Sequence, residues 1–289
     1  MKSKRNYAFS ILYCIAVGIA SATIDGATDF LPVAYSLFMT CCISMLYFHI
    51  ISIKQVIDLY KQLLRNKTLF IQINLIVAIM WLSTFYGISL EGATFFNIIY
   101  FVGRSLFIKL TKGNLLSSLI ILLFLLIVYK VHIHNGIIGF MIALLGGLAG
   151  YLYGIISAKM NSSLNLTASQ ILASRFWLLI IILFLLIPDK DFIQYTNLHN
   201  VILVIFIAFI TMIVQLWLSQ KAILNIGINK HGYITTLVPF STFLAQGVIL
   251  NSWNVIMLLF SLIVPFVLLF DIVIKKYKVN LASERKFRR

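Results

Sequence analysis

Long apolar segments, separated by short polar stretches, follow one another along the whole chain. Ten of them are 17 to 23 residues long, close to the ~20 residues that a helix needs to cross a bilayer. Runs such as Leu115 to Val128 lack the alternating polarity that a membrane β-strand would require. The pattern therefore predicts an all-α integral membrane protein with ten transmembrane helices: 7–24, 32–52, 68–90, 93–110, 114–130, 136–157, 167–188, 199–220, 232–249 and 252–274.

Composition agrees with this pattern. The 289 residues are 61% hydrophobic and only 11% charged, whereas soluble domains carry roughly 25% charged residues. The net charge of +15 does not indicate a nucleic-acid partner, because the basic residues lie between apolar segments rather than on one polar face. Cys14, Cys41 and Cys42 lie inside apolar segments and are interpreted as small hydrophobic residues. No motif predicts a metal or a cofactor.

Lysine and arginine are unevenly divided between the two sides of the predicted membrane. With a cytoplasmic N-terminus, 19 of the 23 lie in inner segments and only Lys130 and Lys190 lie in outer loops; Arg104 and Arg175 lie within spans. Inner loops of membrane proteins are enriched in basic residues. The count predicts that both termini are cytoplasmic, in the cell (inner) membrane. The apolar segment after Met1 to Arg5 is interpreted as a retained anchor rather than a cleaved signal peptide.

A tripeptide repeats at half the chain length. Trp-Leu-Ser occurs at 81–83 and again at 217–219, an offset of 136. At the same offset Val102 pairs with Val238, Ser105 with Ser241 and Phe107 with Phe243, while Gly103 pairs with Pro239. Five predicted helices precede the junction and five follow. Because five is odd, the second copy would have the opposite orientation, so we expect an inverted repeat of the kind found in many secondary transporters.

Three segments resemble the drug/metabolite transporter superfamily, in particular its ten-helix EamA-like members. The family's helix 3–4 unit is similar to the segment WLSTFYGISLEGATFFNIIYFVGRSLFIKL. Its helix 8–9 unit is similar to WLSQKAILNIGINKHGYITTLVPFSTFLAQ, in which Pro239 stands at the usual proline position. Its helix 7 is similar to ASQILASRFW, in which Arg175 stands at a common arginine position. Departures are Gly103 in place of the first-half proline and the presence of Arg104.

This resemblance implies a domain organisation and a function. Together with the repeat, it predicts a first five-helix repeat at 1–133, a second at 134–274 and a basic cytoplasmic tail at 275–289. We expect a transporter rather than an enzyme, and a monomer or homodimer. The family's cavity is lined largely by helices 1, 3, 4, 6, 8 and 9. The resemblance therefore implies that five residues face the substrate: Trp81, Asn97, Tyr151, Gln215 and Thr235.

Two arginines lie within predicted spans, where a charge is costly unless it faces protein or water. Arg104 shares a helix face with Asn97 and Phe101, with Tyr100 at its edge. This face would suit a cavity that binds an anionic group, since guanidinium offers forked donors. Alternatively, Arg104 snorkels to the cytoplasmic headgroups. For Arg175 a structural pairing with helix carbonyls or acidic lipid is the favoured interpretation.

In three of the predicted spans, small or polar residues line up on one face of the helix. Gly146, Gly150 and Gly154 recur every four residues in the sixth span, which favours close helix packing and would also allow sliding. The eighth and ninth spans each present a polar face. These faces consist of Thr211, Gln215 and Ser219, and of Thr235, Thr242 and Gln246.

The acidic residues limit the chemistry. All eight fall in loops or at helix ends, with Asp271 nearest to the membrane, so coupling through a buried carboxylate is not expected. We expect a transporter that exports, facilitates or exchanges a small polar metabolite, anionic or zwitterionic, such as an amino acid. Two alternatives remain open: a scaffold without transport, and a membrane enzyme for lipid-linked substrates that uses Asp25 with Asp29 or Asp189 with Asp191. His132 and His134 are interpreted as ordinary loop residues.

Overall fold

A computed structural model of the protein describes residues 2–131, 137–187 and 194–269, with side chains from residue 7 onwards. In these ranges the chain is helical and has no strand. We number the helices in chain order as α1 (Lys2–Ala27), α2 (Val33–Ile51), α3 (Val56–Arg65), α4 (Lys67–Glu91), α5 (Ala93–Thr111), α6 (Leu115–Val131), α7 (Ile137–Leu164), α8 (Ala168–Leu186), α9 (Leu198–Ile226), α10 (Ile228–Leu250) and α11 (Val255–Leu269).

Eight of these helices are long and apolar enough to cross a membrane, and α6 and α11 are shorter apolar helices. The prediction of an all-α, multi-pass membrane protein is therefore confirmed. Ten apolar helices correspond in position to the ten predicted spans, while α3 occupies a stretch that we predicted as a loop. The predicted tail 275–289, together with His132, His134, Asp189, Asp191 and Asp271, lies outside the described residues.

Helix α3 is amphipathic and lies between two spans. Leu59 and Leu63 are buried, whereas Ile57 and Leu64 are exposed. The hydroxyl of Tyr60 is hydrogen-bonded to Nε2 of His49 at 2.7 Å on α2 and accepts a hydrogen bond of 2.8 Å from Nε1 of Trp177 on α8. These contacts attach α3 to both neighbouring spans, and aromatic and polar groups of this kind suit the membrane–water interface.

Single glycines join two pairs of long helices. Gly92 lies between α4 and α5 with φ 77° and ψ 157°, and Gly227 lies between α9 and α10 with φ 82° and ψ 157°. This backbone region is essentially restricted to glycine. The chain therefore turns sharply at one residue in both places, and each turn brings the ends of two long helices together.

The two glycine-joined pairs run in opposite directions. The backbone N–H of Thr94, at the start of α5, donates to Oε1 of Gln246, near the end of α10, at 3.1 Å. At the other end of both helices, Nζ of Lys112 donates to Oδ1 of Asn229 at 3.3 Å. Helices α5 and α10 are therefore antiparallel. We call the two ends of the bundle the Gly92 end and the Gly227 end.

The first helix of each half packs against the other half of the chain. Helix α1 contacts α9 and α10, and α7 contacts α4 and α5. Helix α2 packs against α8 and α9, while α8 packs against α2 and α4. This exchange of helices places the centre of the bundle between α1, α4, α5, α7 and α9, where the cavity described next is found.

Candidate functional site

A narrow cavity of about 50 Å³ lies at the centre of the bundle. It has room for only a few water molecules. Its walls come from five helices, and the residues that carry polar or aromatic groups are Tyr13, Ser21, Trp81, Thr84, Phe96, Asn97, Tyr100, Phe101, Arg104, Tyr153, Gln215 and Ser219. The lining thus combines aromatic rings with a few polar groups and one full charge, that of Arg104.

Arg104 is buried in this cavity without a compensating charge. Its side chain is 7% exposed, and its Nε–H has no acceptor among the described residues. No carboxylate in the described ranges forms an ion pair with it. A buried charge without a partner is strongly unfavourable, so this guanidinium is suited to receive an anionic group. Burial also argues against snorkelling to the headgroups.

Trp81 contributes a second unfilled donor. Its side chain is 2% exposed, and its indole Nε1–H has no acceptor within the described part of the chain. Its counterpart in the repeated tripeptide, Trp217, is 39% exposed and packs edge-on against Phe9 with ring centroids 5.8 Å apart. The two tryptophans of the repeat therefore have different environments, and only Trp81 lines the central cavity.

A hydrogen-bonded chain connects the cavity wall to Arg175. Nη1 of Arg175 donates to the hydroxyl of Tyr153, which donates to Oε1 of Gln220 at 3.0 Å. Arg175 is fully buried, its guanidinium carbon lies 5.0 Å from the centre of the Tyr153 ring, and its Nε and Nη2 have no acceptor among the residues described. Arg175 does not line the cavity itself and reaches it only through Tyr153.

Arg175 occupies a break in α8, which the sequence does not mark with glycine or proline. The helical segments Ala168–Ala173 and Trp177–Leu186 flank the break. Asn74 of α4 bonds to the freed backbone groups: its Nδ2 donates to the Ser174 carbonyl at 3.0 Å, and its Oδ1 accepts from the Leu178 N–H at 3.4 Å. Non-helical backbone at membrane depth requires such partners.

The glycines of α7 let α5 approach closely. A Cβ at Gly147 would lie 2.8 Å from the Arg104 backbone nitrogen and would also meet the Tyr100 carbonyl. A Cβ at Gly150 would overlap the Tyr100 hydroxyl, and one at Gly146 would lie 3.1 Å from Ser83 Cβ. The glycine stripe therefore fixes the backbone that carries Tyr100 and Arg104. A Cβ at Gly154 would instead lie 2.5 Å from Cδ1 of Ile228.

At the Gly92 end, hydrogen bonds close the bundle above the cavity. Oδ2 of Asp25 accepts from the Ala93 N–H at 3.0 Å and from Nε2 of Gln246 at 2.9 Å. The hydroxyl of Thr94 donates to Oε1 of Gln246. We call Asp25, Ala93, Thr94 and Gln246 the Gly92-end seal, because these residues tie together α1, α5 and α10.

At the Gly227 end the described residues enclose a larger space. A vestibule of about 630 Å³ is lined by Lys109, Lys112, Tyr151, Asn229 and Tyr233 among others. A smaller cavity of about 10 Å³, lined by Phe101, Arg104 and Thr235, lies between the vestibule and the centre. Arg104 lines both the central and the smaller cavity, so it lies on the route from the vestibule to the centre.

Five of the seven residues that the sequence predicts for substrate binding line the central cavity: Trp81, Asn97, Tyr100, Arg104 and Gln215. Thr235 lines the smaller cavity and Tyr151 the vestibule. Pro239 is buried at the start of the regular part of α10. Of the acidic clusters proposed for an enzyme, Asp29 is exposed, whereas Asp25 belongs to the Gly92-end seal.

Sequence reasoning missed His231 and Tyr153. His231 is buried, with Nδ1 3.0 Å from the hydroxyl of Ser10 on α1 and Nε2 3.3 Å from that of Ser219 on α9. For Tyr153 alone, the sequence contains a usable signal. Gly-Ile-x-Ser-Ala occurs at 18–22 and at 154–158, again offset by 136, next to Tyr153.

No protein-family model matches this chain, and no curated protein is detectably similar to it.

Proposed function

We propose that the protein is a secondary transporter that moves a small anionic or zwitterionic metabolite by alternating access, acting as an exporter, facilitator or exchanger. The observation that carries the proposal is Arg104, a buried guanidinium without a protein counter-ion among the described residues, in a central cavity. Binding of a negative group there would supply the missing partner. The lining residues offer donors and aromatic faces, which suit reversible binding better than a chemical step.

We also propose that the chain is an inverted repeat of five and five helices, and that it belongs with the EamA-like drug/metabolite transporters that its segments resemble. Three features support the repeat: the glycine joints at Gly92 and Gly227, the antiparallel course of α5 and α10, and the exchange of α1 and α7 between the halves. Two inverted halves can exchange conformations, which would open the cavity alternately to the two sides.

The orientation in the membrane is part of the proposal. The Gly227 end carries Lys109 and Lys112, so the bias of basic residues towards the cytoplasm puts the vestibule inside and the Gly92-end seal outside. Both chain termini would then be cytoplasmic, in the cell (inner) membrane. This conformation would be open towards the cytoplasm and closed towards the outside.

The test is transport in liposomes that contain the purified protein, with labelled organic acids, amino acids and nucleotides on one side. We expect uptake or exchange of at least one anionic compound, and its loss in Arg104→Gln. Arg65→Gln is the matched control, because Arg65 is an exposed cation at the end of α3. Wild-type liposomes without flux of any compound, or an Arg104→Gln variant with unchanged selectivity, would contradict the proposal.

A further inference from the structure

Trp81 and Arg104 lie at nearly equal distances along the chain from the Gly92 joint. Trp81 precedes the Gly92 joint by 11 residues and Arg104 follows it by 12. With a helical rise of 1.5 Å per residue, they lie about 16 and about 18 Å from the joint, close to the middle of a ~30 Å hydrocarbon layer. By these estimates both residues lie at a similar depth, and both line the central cavity.

The two side chains leave unfilled donors at this level. Nε of Arg104 and Nε1 of Trp81 are buried, and neither has an acceptor in the described ranges. Asn97 is already committed, because its Nδ2 donates to the Ser21 hydroxyl at 2.9 Å and to the Ala93 carbonyl at 3.0 Å. A group with two acceptor atoms and a negative charge would satisfy both unfilled donors and the charge of Arg104. A carboxylate offers both.

The rest of the lining is mostly apolar. The aromatic rings of Tyr13, Phe96, Tyr100, Phe101 and Tyr153 surround the cavity, together with aliphatic side chains from α1 and α9. None of the described lining residues is acidic. The ammonium group of a zwitterion would therefore lie near Arg104 without a carboxylate to neutralise it. A sugar phosphate would find few further polar partners for its hydroxyl groups, chiefly Ser21, Thr84, Gln215 and Ser219.

We propose that the substrate is an amphipathic monocarboxylic acid without an ammonium group. Its carboxylate binds between Arg104 and Trp81, and its apolar body packs against the aromatic rings. This inference rests on the proposed transport function and narrows it, since that function also admits zwitterions. The substrate enters from the vestibule, and the central cavity widens from about 50 Å³ to receive it.

The test uses ligands that share one apolar group and differ in charge, together with one polar anion. Binding to the full chain in lipid nanodiscs is measured by calorimetry for 3-phenylpropanoate, phenylalanine, phenethylamine and glycerol 3-phosphate. We expect 3-phenylpropanoate to bind most tightly and phenethylamine not to bind. Trp81→Phe keeps an aromatic ring and removes the N–H, so we expect about tenfold weaker binding of 3-phenylpropanoate, the effect of one hydrogen bond to a charged group.

Trp217→Phe is the matched control and should leave binding unchanged, because Trp217 lies outside the cavity. Arg104→Gln should abolish binding of 3-phenylpropanoate. Tighter binding of phenylalanine or glycerol 3-phosphate, with dependence on Arg104, would overturn this inference and leave the transport proposal standing. Equal effects of Trp81→Phe and Trp217→Phe would also overturn it. Absence of binding and of transport for every anion tested would overturn both proposals.

Discussion

The side-chain amide of Gln246 donates a hydrogen bond of 2.9 Å to the carboxylate of Asp25, across 221 residues of sequence. The same carboxylate oxygen accepts the N–H of Ala93, the first residue of α5. A carboxylate is favoured at a helix N-terminus, where N–H groups lack intrahelical partners. One acid thus holds α1 from the first half and α10 from the second half against the same helix end.

Removal of this acid should loosen the Gly92-end seal. Asp25→Ala deletes two hydrogen bonds to a charged acceptor, each worth about 1.5–3 kcal/mol. We expect the cavity to open to the outside at least about tenfold more often. The measurement is labelling of Thr84→Cys, a cavity position, by an impermeant maleimide added outside, in a background without Cys14, Cys41 and Cys42.

Asp29→Ala serves as the control for this experiment, because Asp29 is an exposed acid four residues further along the chain. Its labelling rate should equal that of the parent protein. If Asp25→Ala labels no faster than Asp29→Ala, the hydrogen bonds of Asp25 do not close the Gly92 end.

Because α5 and α7 lie in close contact at Gly147, alanine at this position should lower both stability and anion binding. In Gly147→Ala the new methyl group would lie 2.8 Å from the backbone nitrogen of Arg104 and would overlap the Tyr100 carbonyl, and neither backbone atom can move alone. Overpacking of this kind costs about 1–3 kcal/mol. We expect a lower thermal denaturation midpoint in detergent and weaker anion binding, since the shift displaces Arg104.

Gly232→Ala is the matched substitution. It adds the same methyl group to a helical glycine of α10, but nothing among the described residues lies within 4 Å of the new atom. Alanine has the higher helix propensity, so stability should stay the same or rise slightly. A fall in stability as large as that of Gly147→Ala would show that glycine flexibility matters more than the close approach of the helices.

Alanine at either glycine joint should lower the stability of the protein by a similar amount. Gly92→Ala and Gly227→Ala each place a Cβ at a φ of 77° or 82° with ψ near 157°, which costs of order 1–3 kcal/mol. Because the two backbone conformations are nearly the same, the two losses of stability should be similar. They should also be additive in the double variant, since distant sites act independently. Thermal denaturation in detergent measures all three, and a normal midpoint for either single variant would contradict the strain argument.

The sequence was most informative where apolar segments are long. It located the spans because soluble folds rarely contain about 20 continuous apolar residues. It missed α3, because its apolar positions Leu59 and Leu63 alternate with charged residues in a helical period rather than a continuous run. It also missed the break in α8, since the compensating group is Asn74, 100 residues from Ser174, and a contact of that range leaves no local pattern.

The part of the cavity that α5 contributes was predictable from helix spacing. Asn97, Tyr100 and Arg104 share one face of a single helix, so spacing alone groups them. His231 could not be found in this way, because it lies in a stretch predicted as a loop, and its partners Ser10 and Ser219 belong to other helices. Trp81 and Trp217 show the limit of the repeat, since identical tripeptides differ in burial.

Variants of the Arg175–Tyr153 pair can distinguish two roles of Arg175: support of the cavity wall and direct binding of the substrate. Tyr153→Phe removes the one hydrogen-bond acceptor that the described residues offer to a fully buried guanidinium, and a hydrogen bond to a charged group is worth about 1.5–3 kcal/mol. We expect a large loss of thermal stability.

Replacement of both groups, in Arg175→Leu with Tyr153→Phe, removes the charge together with its partner, so the double variant should be more stable than Tyr153→Phe alone. Because Arg175 reaches the cavity only through Tyr153, the double variant should also keep Arg104-dependent anion binding. If the double variant folds but fails to bind any anion that the parent binds, Arg175 takes part in binding itself.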